Sequence, residues 1–253
     1  AGLDILHNNN LKEVSENPDS ILLRSHILLE KDLDDNLLCI ARAGAGTNNI
    51  PIQEATKKGV VVFNTPGANA NAVKELVICG MLLSSRGIIE GIEFAKSLDC
   101  EDSKDLNKAM EAQKKVFAGS ELAGKTLGII GLGSIGSMLA QAAHALGMKL
   151  IGYDPYISIE GAWRLPADVE KAESMEALLK QSDFVSLHVP LVEDTKNLIN
   201  KSNLKNFKRG ARLINLSRGG IVNTNDVIEG LDKGHLDRFV TDFPTPELIN
   251  RSS

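Results

Sequence analysis

The chain has 253 residues, of which 43% are hydrophobic and 24% charged, and its formal net charge is −5. This length allows one large domain or two of ordinary size. The weak negative charge, with no basic block, argues against nucleic acid and membrane surfaces as partners. No apolar run approaches the roughly 20 residues that span a bilayer, and no signal-peptide pattern is found. Three cysteines without CxxC spacing predict neither a disulfide framework nor a metal site, so we expect a cytoplasmic protein.

The first part of the chain predicts a small α/β domain. Short apolar stretches at 20–23, 37–41 and 60–63 predict strands, and 50–58 predicts a helix between the second and the third. Arg24 directly follows the first predicted strand, and Arg42 directly follows the second. Two guanidinium groups at adjacent strand ends would suit a substrate that carries a phosphate as well as a carboxylate.

The remainder predicts a second domain with a doubly wound parallel sheet. A helical pattern covers 70–98, and 99–120 fits either an exposed arm or a second helix. Predicted strands then alternate with helices, two of which have Ser202 and Thr224 as predicted N-caps. The predicted strands lie at 127–130, 148–153, 184–188, 212–216 and 239–242. Because a helix without a preceding strand opens the chain and a strand and loop close it, we expect both ends to be truncated.

A glycine motif follows the first strand of this second domain. Gly131, Gly133 and Gly136 form GxGxxG between an apolar strand and a helical pattern, which is the context of a dinucleotide-binding turn. The pyrophosphate would lie at the helix N-terminus. Asp154 ends the next strand, where a carboxylate can accept both ribose hydroxyls of NAD and would repel the extra phosphate of NADP. The sequence therefore predicts NAD as the cofactor.

A second informative stretch surrounds Arg218. This arginine follows a predicted strand and is flanked by glycines, so it would emerge at the same sheet edge as the glycine turn. A guanidinium there could bind a substrate carboxylate and polarise a carbonyl beside the nicotinamide. The alternative is a surface arginine that pairs with a helix end.

Eight short motifs then make the chain resemble the D-isomer-specific 2-hydroxyacid dehydrogenases and, within them, the phosphoglycerate dehydrogenases. The motifs extend over nearly the whole chain. They are 42–48 (RAGAGTN), 64–67 (NTPG), 124–128 (GKTLG), 131–136 (GLGSIG), 153–155 (YDP), 187–191 (LHVPL), 215–220 (NLSRGG) and 241–244 (TDFP).

The resemblance implies two Rossmann-like domains: a smaller flavodoxin-like substrate domain at 1–68 and an NAD-binding domain at 69–253. It implies substrate carboxylate recognition by Arg218 and by the backbone N–H groups of Ala43, Gly44, Ala45 and Gly46. It places other side chains around the cofactor, with His188 in a packing rather than a catalytic role. The cofactor-binding residues would be Gly131, Gly133, Ser134, Ile135, Gly136, Asp154, Pro155, His188, Val189, Pro190, Thr195, Leu216, Arg218 and Asp242.

Catalysis in the resembled family uses an arginine, a glutamate and a histidine. Glu247 keeps the spacing of five residues after Asp242, although the Phe-Pro pair comes one residue earlier than in the family pattern. A solvent-facing loop glutamate is the alternative. The family's Pro-His pair would fall beyond Ser253, so Lys74 is a candidate for proton transfer, with an exposed first-turn lysine as its alternative.

The activity that this resemblance implies is NAD-dependent oxidation of D-3-phosphoglycerate to 3-phosphohydroxypyruvate, the entry to serine synthesis. A glyoxylate or hydroxypyruvate reductase on the same scaffold is one alternative. A non-enzymatic NAD-binding module, like the corepressors that resemble this family, is another. The family also implies a homodimer formed through the second domain, with 90–119 as an arm.

Overall fold

The computed structural model describes residues 2–14, 16–99 and 102–250. It divides into two compact units, 1–69 and 70–253. Both units have parallel sheets with helices in the connections, which confirms the predicted α/β fold class. Among the described residues, no helix combines the length and the apolar character needed to cross a membrane.

The first unit is a three-stranded parallel sheet in the order β1-β2-β3. Its elements are α1 (Gly2–Asn8), β1 (Ser20–Leu23), β2 (Cys39–Arg42), α2 (Ile52–Lys57) and β3 (Val61–Asn64). Strand β2 begins two residues later than predicted because Leu37 closes a turn, donating its N–H to Asp34 O at 3.1 Å. The apolar stretch begins before the strand because the side chain of Leu37 is buried in the core of this unit with Ile40 and Ala55.

The second unit is a six-stranded parallel sheet in the order β6-β5-β4-β7-β8-β9. The strands are β4 (Thr126–Ile130), β5 (Lys149–Tyr153), β6 (Glu170–Lys171), β7 (Phe184–Leu187), β8 (Ala211–Asn215) and β9 (Leu236–Thr241). The helices are α3 (Ala70–Ser85), α4 (Ile88–Ser97), α5 (Ser103–Gln113), α6 (Ser134–Ala145), α7 (Ile159–Ala162), α8 (Met175–Gln181), α9 (Lys201–Leu204), α10 (Thr224–Asp232) and α11 (Pro246–Ile249).

Helices cover both faces of this sheet. On one face α3 and α6 bury Val77, Met81 and Leu139 against the strands. On the other face α8 and α10 bury Leu178 and Val227. Strand order reverses between β4 and β7, and in such sheets ligands bind at the carboxyl ends of the strands beside that reversal.

The single helix predicted over 70–98 is wrong, since the structure breaks it at Arg86 and Gly87. The segment after α5 packs onto the break: Gly87 N–H donates to Phe117 O at 3.1 Å. A Cβ on Gly119 would lie 2.0 Å from Ser85 O, so the two backbones touch. Of the two alternatives for 99–120, the helix holds for Ser103–Gln113.

The predicted helix caps are each displaced toward the N-terminus. Asn200, not Ser202, accepts from the first turn of α9, and Asn223, not Thr224, accepts from Asp226 N–H in α10. In both places an asparagine precedes the predicted hydroxyl residue, and its side-chain carbonyl satisfies N–H groups that have no partner within the helix.

Candidate active site

The glycine turn between β4 and α6 is shaped by two close backbone approaches. Gly131 has a φ of +92°, and a Cβ there would lie 2.6 Å from His188 O. A Cβ on Gly136 would lie 2.1 Å from Gly131 O. Both positions therefore require glycine for the chain to fold, because the atoms in conflict are backbone atoms that cannot rotate away.

Gly133 differs from its two neighbours in the motif. It is exposed, its φ is −66°, and a Cβ on it would have no heavy atom of the chain within 4 Å. It lies at the N-terminus of α6, whose first-turn N–H groups have no intrahelical partner. Open space in front of free N–H groups fits an anion such as a pyrophosphate. Ser134 and Ile135 follow in this first turn, as predicted for groups that bind phosphate.

Asp154 follows β5 and is fixed by two backbone donors. Its Oδ2 accepts from Leu132 N–H at 2.8 Å and its Oδ1 from Tyr156 N–H at 2.9 Å. Each carboxylate oxygen still has capacity for a further donor, so the pair can accept two ribose hydroxyls. A pocket of about 300 Å³ lies between Gly133, Ser134 and Asp154. Pro155 follows directly in this turn.

His188 follows β7 on the other side of the strand-order reversal. Its Nε2 lies 2.8 Å from Ser186 Oγ, and its Nδ1 is buried without a hydrogen-bond partner among the described residues. Burial lowers the pKa of His188 to about 4, so the ring is neutral at physiological pH. A neutral ring whose Nδ1 is buried is compatible with the packing role, which stays a prediction.

We expect His188 to make stability depend on pH. Its folded pKa of about 4 lies below its ordinary value of 6.5, so the unfolded chain binds the proton more tightly. The contribution of the neutral ring to the free energy of unfolding is fully present above about pH 7. It is lost as the pH falls from 6.5 to 4, and the total loss is about 3 kcal/mol. Urea unfolding at pH 7 and pH 4 measures this loss.

The matched variants are His188→Gln and His26→Gln, since His26 is an exposed histidine of the first unit. The His26 variant should keep the pH dependence of the wild type, and the His188 variant should lose most of it. An unchanged dependence in the His188 variant would contradict the interpretation.

Arg218 and Asp242 follow the neighbouring strands β8 and β9. The last paired residues of these strands are Asn215 and Thr241, so both side chains leave the sheet at its carboxyl edge. The two loops touch, since a Cβ on Gly219 would lie 3.4 Å from Phe243 Cβ. Arg218 and Asp242 are both exposed. The structure thus brings these two predicted residues to one place.

Two side chains of this loop were not singled out by the sequence reasoning. Asn215 is buried at the end of β8, and its Nδ2 donates to Arg218 O. Ser217 precedes Arg218, and its Oγ donates to Leu187 O at the end of β7. The sequence signal that could have found Asn215 is a polar residue at the end of an otherwise apolar strand.

Lys74 lies on α3, which runs antiparallel to β8 and β9. Arg212 near the start of β8 donates to Ser84 O at 2.9 Å, whereas a Cβ on Gly80 would lie 2.7 Å from Val240 Cγ1 near the end of β9. Lys74 is six residues before Gly80, or about 9 Å further along the helix axis. Lys74 is therefore toward the carboxyl edge, where its Nζ donates to Asn71 Oδ1 at 2.6 Å.

Glu247 lies in the first turn of α11 and is fully exposed. The Thr245 hydroxyl and the backbone N–H of Glu247 itself lower the pKa of its carboxyl, so it is charged at neutral pH.

The remaining predicted cofactor residues line the turns after β7 and β8. Val189 packs on the glycine turn, 3.0 Å from the position of a Cβ on Gly131. Thr195 closes the next turn: its hydroxyl donates to Pro190 O at 2.5 Å and accepts from Val192 N–H at 2.9 Å. Leu216 packs against the core cluster beneath α3 and α6.

In the first unit, the two predicted substrate arginines have different surroundings. The Arg42 guanidinium donates to Arg24 O at 3.1 Å and to Gly46 O, so it closes the loop that follows β2. Arg24 is exposed, and its guanidinium has no partner among the described residues. Of the two predicted substrate arginines, Arg24 is the one whose guanidinium makes no hydrogen bond within the described chain, and the substrate role of both stays a prediction.

The backbone N–H groups of 43–46 are also partly used. Ala43 N–H donates to Leu23 O at 2.8 Å and Gly44 N–H to Arg42 O at 2.9 Å. Within the described chain, the N–H groups of Ala45 and Gly46 have no acceptor. Of the four N–H groups predicted to bind the substrate carboxylate, two are therefore available for it within the described chain.

The fold and the glycine turn define a Rossmann-type dinucleotide-binding protein, and comparison with known proteins identifies the family. Residues 88–253 match the family model "D-isomer specific 2-hydroxyacid dehydrogenase, NAD binding domain". The chain belongs to the D-isomer-specific 2-hydroxyacid dehydrogenase family, and NAD is the cofactor of this domain. This agrees with the assignment made from the motifs.

Individual relatives differ in substrate. The chain is 37% identical to a hydroxypyruvate reductase of Thermotoga maritima, over 96% of this chain and 76% of that protein. It is 37% identical to the D-3-phosphoglycerate dehydrogenase of Bacillus subtilis, over 86% of this chain but only 39% of that protein. A solved structure of D-lactate dehydrogenase with NAD+ from Lactobacillus jensenii superposes with a TM-score of 0.73 at 27% identity, over 99% of this chain and 77% of that one.

Proposed function

We propose that this protein oxidises D-3-phosphoglycerate to 3-phosphohydroxypyruvate with NAD, the first step of serine synthesis. The observation that carries the dehydrogenase part is the common sheet edge of the glycine turn, Arg218 and Asp242. A guanidinium beside a dinucleotide site can bind the carboxylate of a 2-hydroxy acid and polarise its C2 oxygen.

In this proposal NAD, when bound, would supply the acceptor for the hydride on C2 of the substrate. Arg218 would bind the carboxylate and the C2 oxygen, and Asp242 would lie beside the nicotinamide end of the cofactor. The C2 hydroxyl must release a proton as the carbonyl forms. Lys74 is the proposed group for this transfer, supported by its position toward the carboxyl edge, and Glu247 is the proposed orienting carboxylate.

Arg24 supports a phosphorylated substrate. It follows β1 directly, beside the loop whose Ala45 and Gly46 N–H groups are free of other acceptors in the described chain. Because the Arg42 guanidinium bonds across this loop, the free N–H groups of Ala45 and Gly46 are held in place. A free guanidinium and two N–H groups together suit a dianion better than a neutral group.

Arg24→Ala should lower kcat/KM for D-3-phosphoglycerate about 30-fold, because a charge-assisted bond to the phosphate is lost. Turnover of hydroxypyruvate with NADH should change little, since hydroxypyruvate has no phosphate. Steady-state rates with both substrates measure the difference. Lys31→Ala, which removes an exposed positive charge of the same unit, is the control.

Equal losses for the two substrates would refute a phosphate role for Arg24. They would favour the second candidate, a hydroxypyruvate or glyoxylate reductase. The similarity to the Thermotoga maritima hydroxypyruvate reductase, which this chain covers over 76% of its length, supports that candidate.

We further propose that the protein acts in the cytoplasm as a homodimer formed through the second unit. The apolar side chains of α4 support the dimer: Ile88, Ile89 and Ile92 are 43%, 55% and 49% exposed. Exposed aliphatic residues grouped on one short helix are typical of a protein–protein interface.

A further inference from the structure

The turn that carries Arg218 is held by two neighbouring side chains. Asn215 is 1% exposed; its Oδ1 accepts from Ser217 N–H at 3.2 Å and its Nδ2 donates to Arg218 O at 2.9 Å. Ser217 Oγ donates to Leu187 O at 2.5 Å. The amide therefore spans the turn, and the hydroxyl ties the turn to the end of β7.

All of these bonds act on the backbone and leave the guanidinium available. Arg218 is exposed, and its Nη1 donates only to Ser217 O, at 2.7 Å, among the described residues. Because the backbone on both sides of Arg218 is fixed, the direction in which its side chain leaves the sheet is fixed as well. A buried amide is costly unless its groups are bonded, and here both groups bond to one exposed turn.

We propose that Asn215 and Ser217 are positioning residues that hold Arg218 in the orientation in which it binds a substrate carboxylate. This inference rests on the role proposed above for Arg218. In this inference Asn215 sets the conformation of the turn, and Ser217 sets the position of the turn relative to the end of β7. Small displacements of a charged group from its ligand are sufficient to lose most of a bidentate interaction.

The test measures the Kd of oxalate, a simple dicarboxylate, for the NADH complex of each variant by NADH fluorescence. Asn215→Asp and Ser217→Ala should each weaken oxalate about tenfold. Ser217→Thr, which keeps the hydroxyl, should restore binding to within about twofold of the wild type. The Kd of NADH should stay unchanged in all three variants.

Asn215→Asp and Ser217→Ala are also made in an Arg218→Lys background, which separates an effect on Arg218 from a general loss of structure. If Asn215 and Ser217 act through Arg218, their substitution adds little once the guanidinium is gone. The matched control is Asn203→Asp: Asn203 also bonds two backbone groups of this unit, Leu198 O at 2.5 Å and Asn200 N at 3.0 Å. This control should leave oxalate binding unchanged.

Additive effects in the Arg218→Lys background would overturn the inference, as would oxalate binding that is absent in the wild type or unaffected by Ser217→Ala. The Ser217 variant keeps the test valid if Asn215→Asp does not fold. Turnover of D-3-phosphoglycerate is measured separately. The expected oxalate pattern without that turnover would leave the positioning role standing and refute the proposed substrate.

Discussion

Gly136→Ala should destabilise the second unit by about 3 kcal/mol, since adding one methyl to a packed site forces its surroundings apart. The new Cβ would lie 2.1 Å from Gly131 O and 3.3 Å from Ile129 Cγ2. The oxygen of Gly131 is a backbone atom that cannot rotate away, so β4 and α6 must separate. Thermal and urea unfolding measure the loss, and NADH binding should fall with it.

Gly133→Ala is the matched control in the same motif. Its Cβ would meet no heavy atom of the chain within 4 Å, and its φ of −66° is allowed for alanine. The fold should therefore keep its stability, while the Kd of NADH rises about tenfold or more because the methyl occupies the space of the pyrophosphate. If both variants lost stability equally, the division of the motif into a folding glycine and a binding glycine would be wrong.

Arg218→Ala should lower kcat/KM for the 2-hydroxy acid about a thousandfold, because the carboxylate loses its charged partner and the C2 oxygen its polarising group. Because Arg218 is exposed and its guanidinium packs in no core, the free energy of unfolding should remain that of the wild type. Steady-state kinetics and urea unfolding on the same preparation measure both quantities.

The control for this experiment is Arg209→Ala, an exposed arginine that precedes β8 where Arg218 follows it. Removing a positive charge at the opposite end of the strand should leave kcat/KM within about twofold, since exposed charges at such a distance are screened. A comparable loss in both variants would show that overall charge, not the position of Arg218, governs the reaction.

The nucleotide site was predictable because its signals are local. An apolar strand, Gly131 to Gly136 and the following helical pattern lie within about 20 residues, and Asp154 ends the very next strand. Gly131 and Gly136 avoid backbone conflicts within this unit, and Gly133 leaves open space at the N-terminus of α6. Backbone geometry of this kind is written into residue type and spacing, so sequence alone identified the cofactor.

The single helix predicted over 70–98 failed because it is broken by a partner far away in the chain. The helix over 70–98 is interrupted where Gly87 meets Phe117, thirty residues later. The two hydrogen bonds of the Arg42 guanidinium, to Arg24 O and Gly46 O, were not predicted either. Nothing in the residues around either position indicates these contacts, because they depend on which segments the fold places side by side.

The sequence by itself therefore determined the fold class, the glycine turn, Asp154 and the family, since periodicity, turn chemistry and motifs are properties of neighbouring residues. Only the tertiary structure decided that Asn215 and Ser217 fix the backbone of Arg218, and that Arg24 rather than Arg42 has a free guanidinium. A hydrogen bond requires two groups within about 3 Å, and only the folded chain sets that distance.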